Sequence, residues 1–177
     1  NRDDVGITLE LIFGTRSIDL INGEIATVTL IKKDPLKLRI TGHSKIRSDE
    51  LLADALASPR DLTPVECSPI QALDLLDRYR ALFAPEISFV KTKVESELKS
   101  LSPLQKLHHI NMRFTDILKP FLVQAIKKMF PEQAEIAEKR DQSFGSHIAR
   151  NLSVNMSIIL FMPPNTSIDI YMRDNLQ

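Results

Sequence analysis

Few residues in this chain have the type and spacing to do chemistry. Its one cysteine, Cys67, stands directly before Ser68-Pro69-Ile70-Gln71. That run puts a serine at the N-cap, a proline at the first helical position and a glutamine at N3. A thiol near a helix N-terminus can ionise and act as a nucleophile. A histidine brought to it by the fold, His43, His108 or His147, would be the base. Glu66, next to the thiol, opposes ionisation.

His108 and His109 are adjacent. Neighbours on a helix point about 100° apart, so the two rings do not converge on one ion. Leu104, Gln105, Asn111, Met112 and Arg113, the positions a turn away, include no obvious co-ligand. His108 is expected beside the apolar stripe and His109 in solvent. A single cysteine also excludes an intramolecular disulfide and cysteine-based zinc sites. Gly6, Gly14, Gly23, Gly42 and Gly145 form no phosphate-binding loop, so neither metal nor cofactor is expected. No serine lies in a nucleophile-elbow context. The pairs Asp74/Asp77 and Glu135/Glu138 have arginine or lysine nearby and read as solvated charge networks.

The chain as a whole is neutral, with 23 basic and 23 acidic residues, so it has no global field for nucleic acid or anionic membranes. Residues 101–130 depart from this with five basic residues against one acidic. Within them Arg113, Lys119, Lys127 and Lys128 are the candidate binding residues, for phosphate, acidic lipid or a protein partner. The segment lacks the interleaved aromatics of single-strand binders, and the wet side of an amphipathic helix explains it as well. The sequons at Asn151, Asn155 and Asn165 read as chance, since no secretion signal accompanies them.

The elements that must position these residues fall into three segments of one α+β domain, 1–177. Residues 1–42 read as an antiparallel β-meander. Alternation predicts strands at 5–13, 16–21, 24–32 and 36–41, with turns at Gly14-Thr15, Asn22-Gly23 and Asp34-Pro35. The Asn-Gly turn would set Leu20 opposite Ile25 and Ile18 opposite Thr27. Residues 43–150 read as helical, with helices at 49–57, 69–83, 85–99, 103–118, 120–130 and 131–140. The two around Pro120 are alternatively one helix. Ser102-Pro103-Leu104-Gln105 repeats the start grammar of Ser68, but the following residues do not match, so no repeat is inferred. Residues 151–177 alternate again and predict a β-hairpin, 154–162 with 167–172, joining the N-terminal sheet.

Composition is globular, 43% apolar and 26% charged. A reducing compartment, the cytoplasm, fits the cysteine count best. The start at Asn1 reads as a processed chain or a fragment of a larger or anchored protein. With catalytic grammar absent and the C-terminal segment apolar enough to need a cover, the favoured function is non-enzymatic. The chain reads as a protein–protein interaction or assembly module, self-associating or part of a larger structural complex of viral or secretion type. The alternatives are an enzyme built on Cys67 and a histidine, and a nucleic-acid or acidic-lipid binder using the basic helix.

Overall fold

The computed structural model describes residues 2–23, 25–43, 57, 59–139 and 147–175. Of the helix expected at 49–57, all but Ala57 lies outside them. The order is α1 (Arg2–Phe13), α2 (Ser17–Ile21), β1 (Thr27–Ile31), β2 (Asp34–Thr41), β3 (Pro59–Leu62), α3 (Pro69–Glu97), α4 (Pro103–Met129), α5 (Pro131–Lys139), α6 (His147–Phe161) and α7 (Ile168–Asn175). The class is α+β. The described strands form one antiparallel sheet in the order β1-β2-β3.

Half of the expected meander is helical. Residues 5–13 belong to α1, not to a strand. Ile7, Leu9, Glu10, Ile12 and Phe13 are all buried, although they point in every direction around a helix. A helix apolar on all sides has no stripe, so its sequence carries no period of 3.6. α1 is enclosed accordingly, with α2, α3, α4 and α6 packed around it. Gly6 lets α4 close in: a Cβ there would lie 2.4 Å from Cδ2 of Leu122. Gly14 ends α1 in the left-handed region, φ +59, and its N–H donates to the carbonyl of Glu10 at 3.0 Å.

Residues 16–21 also form a helix, α2, so the expected pairings of Leu20 with Ile25 and Ile18 with Thr27 do not exist. Asn22 is its C-cap at φ −80, which rules out the type I′ turn read from Asn-Gly. Arg80 holds this exit. Its Nε donates to the carbonyl of Leu20 at 2.9 Å and its Nη2 to that of Ala26 at 2.8 Å, joining the end of α2 to the approach to β1. The expected strand at 24–32 survives as β1, and the one at 36–41 as β2. The turn between them is Lys32-Lys33, two residues earlier than expected, with Ile31 paired to Asp34.

Both serine starts hold. Ser68 Oγ accepts from Gln71 N at 3.3 Å while Gln71 Oε1 accepts from Ser68 N at 2.9 Å, and Ser102 with Gln105 repeats the pair at the same distances. Pro85 does not divide α3, and Pro120 lies inside a single α4. Each proline removes the N–H that the carbonyl four residues earlier would accept, those of Ala81 and Asp116. Both residues are exposed, so water can supply the bond. Phe83 of α3 meets Phe114 and Phe121 of α4 edge-on, with centroids 5.9 and 6.1 Å apart, at the centre of the core with Leu9, Leu76 and Leu118.

The C-terminal β-hairpin is replaced by two helices, α6 and α7. The alternation at 154–162 is weak, only Asn155 and Ser157 interrupting apolar residues, and Ser153 and Ser157 share a helical face that packs inward.

Replacing Arg80 with Met keeps the aliphatic stem and removes two charge-assisted hydrogen bonds. A loss of about 2–3 kcal/mol is expected in urea unfolding. Arg80→Lys should recover part of it.

Candidate functional site

The basic candidates do not form one site. Arg113 is half-buried and its Nη2 donates to Glu97 Oε2 at 2.8 Å, tying α4 to the end of α3. Lys119 is exposed six residues on, about 240° further around the helix axis. Lys127 and Lys128 are exposed in the last turn of α4, roughly 20 Å along the helix from Arg113, and both have interaction partners. No anion could touch all four.

Cys67 is half-buried in the loop between β3 and α3. Burial, and then the charge of Glu66, push its thiol pKa up. The helix N-terminus beside it is already capped by Ser68. Cys67 has no hydrogen bond to a histidine among the described residues. His108 is exposed and His109 half-buried, the reverse of the expected placement, and their rings lie 6.0 Å apart. The side chain of His147 lies outside the described residues. Among the described residues no three potential ligands could hold a metal ion. Asp74 with Arg78 at 3.8 Å, and Glu135 with Lys139 at 2.6 Å, are surface ion pairs.

The structure assembles a different cluster, which the sequence reading missed. At the end of α1, the nearly inaccessible Glu10 turns its Oε1 to Ser17, accepting from the backbone N at 3.2 Å and from Oγ at 3.1 Å. Thr15 Oγ1 donates to the carbonyl of Phe13 and accepts from Arg60 Nη2 at 2.7 Å. Val65 N donates to the carbonyl of Ile12 at 3.0 Å. Against this finished helix end lie Ser153 and Ser157 of α6, both buried. A Cβ on Gly14 would approach Ser153 Oγ to 3.2 Å. Tyr171 of α7 completes the seam: its OH donates to the Ser157 carbonyl at 3.1 Å and bonds Ser157 Oγ at 2.9 Å.

A cavity of about 30 Å³ lies in this seam, lined among others by Phe13, Gly14, Asp61, Ser153, Ser157 and Tyr171. That is space for about two water molecules. Asp61 at its rim is engaged by Arg39 from the neighbouring strand, Nε to Oδ1 at 2.7 Å and Nη2 to Oδ2 at 2.9 Å. The hydrogen bond from Arg39 holds the Asp61 carboxyl below its ordinary range, against a smaller opposing effect of burial. The seam is a clasp between elements.

What the clasp holds is unusual in polarity. α6 turns small hydroxyls inward, whereas large apolar side chains of its last turn and of α7 are exposed. Ile159 is 80% exposed, Leu160 56%, Phe161 38%, Ile168 51%, Ile170 47% and Met172 39%. The Met162–Ser167 connection joins the two groups. No described helix is long and apolar enough to cross a membrane. Comparison with known protein families, curated proteins and solved structures finds no match to this chain.

Two measurements test these assignments. Cys67 should react with iodoacetamide at pH 7.5 more slowly than a free thiol, since burial and Glu66 both disfavour the thiolate; labelling faster than glutathione would refute this. Asp61→Asn should cost stability at neutral pH. Because the folded pKa is depressed, this contribution is complete above the unfolded value near 4 and disappears as pH falls through the folded value. Salt should weaken it, the pair being exposed.

Proposed function

We propose that this protein is a non-enzymatic interaction module that assembles with other protein through the exposed end of α6 and α7. The observation that carries the reading is the inverted polarity of the pair. A helix that stabilises its own fold buries its apolar side chains. Here Ser153 and Ser157 are buried, while Ile159 and Leu160 are in water. Contiguous apolar surface rimmed by polar residues marks contact sites on water-exposed proteins. The expectation of a covered C-terminal segment thus persists, with a helix face in place of a sheet edge. The chemistry of the rest agrees: burial and Glu66 disfavour the Cys67 thiolate, and the hydroxyls of the seam bond one another.

The test is the size of the native assembly. Tagged chain in an extract of its own cells should elute well above its 20.1 kDa monomer mass. A Leu160→Glu/Ile168→Glu double variant, altering exposed side chains only, should keep its melting temperature and elute as the monomer. A wild-type chain that elutes as a monomer, or a variant that remains in the assembly, would refute the proposal.

A further inference from the structure

The tip of the β1–β2 hairpin stands clear of the body. Leu38 and Ile40 of β2 are fully buried, but Leu36, two residues before Leu38, is 69% exposed, and Leu30 of β1 is 48% exposed. Lys32, Lys33 and Pro35 between them are exposed as well. The cover of the sheet ends at Leu38, and the turn overhangs it. Residues 25–38 hold four charged side chains, Lys32, Lys33, Asp34 and Lys37. Asp34 is used within the turn: its Oδ1 accepts from the backbone N of Leu36 at 3.2 Å, and its Oδ2 lies 3.5 Å from Lys37 Nζ. Lys32 and Lys33 stand in water beside the two leucines.

That combination selects among partners. Lysine is depleted at protein–protein interfaces. Lysine and proline at a strand edge also keep it from pairing with another chain. Single-stranded nucleic acid stacks its bases on aromatic side chains, and residues 30–37 include none. At a bilayer surface the two kinds of side chain part company. Leucine leaves water for the acyl boundary, and lysine keeps its charge on the headgroups. A narrow turn enters as a wedge and needs no flat complementary face. The chain as a whole is neutral, so the attraction is short-ranged and requires anionic headgroups.

On these grounds we infer that the β1–β2 tip docks on anionic phospholipid, with Leu36 and Leu30 in the acyl boundary and Lys32 and Lys33 on the headgroups. This contact uses a different surface from the α6–α7 assembly and stands or falls without it.

Co-sedimentation of the purified chain with vesicles tests it. The chain should pellet with phosphatidylcholine vesicles containing about 30% phosphatidylserine, stay in solution with phosphatidylcholine alone, and detach as NaCl rises from about 0.1 to about 0.5 M. Lys32→Glu/Lys33→Glu should weaken binding at least about tenfold and Leu36→Asn at least about fivefold, both with an unchanged melting temperature. Lys127→Glu/Lys128→Glu should leave it unchanged. The chain has no tryptophan, so a single Leu36→Trp reports on the tip alone. Its emission should shift to the blue on the serine-containing vesicles, and that of Phe89→Trp, at an exposed position of α3, should not. No pelleting would overturn the proposal. Equal pelleting with phosphatidylcholine alone would overturn it, and so would loss of binding through Lys127 and Lys128 with Lys32 and Lys33 indifferent. Binding to polyglutamate without a blue shift on vesicles would overturn it in favour of an acidic protein.

Discussion

α1 cannot be half solvated. Its sequence from Gly6 to Phe13 offers no polar stripe: Ile7, Leu9, Ile12 and Phe13 take different directions around the axis, and every one is buried. Leaving any face open would expose the equivalent of one or two large side chains, at roughly 1.5–3 kcal/mol each. The rest of the chain is arranged to avoid that cost. The α3–α4 hairpin covers two sides, with Gly6 removing the side chain that would hold Leu122 away. α2 folds back beneath the C-terminus, and the loop before α3 reaches the Ile12 carbonyl through Val65.

Enclosing a helix also closes off its ends, where carbonyls lack partners. At the C-terminus of α1 these are met locally, by Gly14 for Glu10, by Thr15 for Phe13 and by Val65 for Ile12. The carboxylate of Glu10 is drawn inward and supplies an acceptor for the start of α2. Polar groups concentrated at one place need a polar lid. α6 meets that need with Ser153 and Ser157, and α7 adds Tyr171. α6 covers this hydroxyl-rich seam with small residues, so Leu152, Val154, Met156 and Ile158 flanking them are half-buried and Ile159 and Leu160 are exposed.

Legibility of the sequence tracked this logic. Caps are local, so Ser68 and Ser102 were readable from four residues each. β2 was readable because its end has one covered face: Leu38 and Ile40 are buried and Arg39 is exposed between them. α1 and α6 were not, for opposite reasons. α1 is apolar all round and mimics a buried strand over nine residues. α6 half-buries Leu152, Val154, Met156 and Ile158 and exposes Ile159, Leu160 and Phe161, so the spacing of its apolar residues marks no single core face. Ser153 and Ser157, four apart, were the available signal, and Tyr171 could be joined to them only by tertiary structure. The prolines misled in a third way. Pro85 resembles a helix start, yet with Ala81 exposed the missing hydrogen bond is inexpensive and α3 runs through. The basic residues of α4 were found individually, but steps of six, eight and one residue along the helix turn them in different directions.

The same geometry explains why an assembly surface can exist here without undermining the fold. The core around Phe83 and the enclosure of α1 are complete without the side chains at the end of α6 and α7. Ile159, Leu160 and Ile168 keep half or more of their surface in water, and that part adds nothing to the stability of the isolated chain. On the proposed reading, that apolar surface leaves water when a partner binds, and only the surplus over the cost of association shows as affinity. The clasp of Tyr171 on Ser157 fixes α7 against α6, so the two apolar groups keep their relative position before any partner arrives. A surface set in advance loses less conformational entropy on binding than one that must first order itself. Polar bonds inside and apolar side chains outside are thus two parts of one arrangement, the first giving shape to the second.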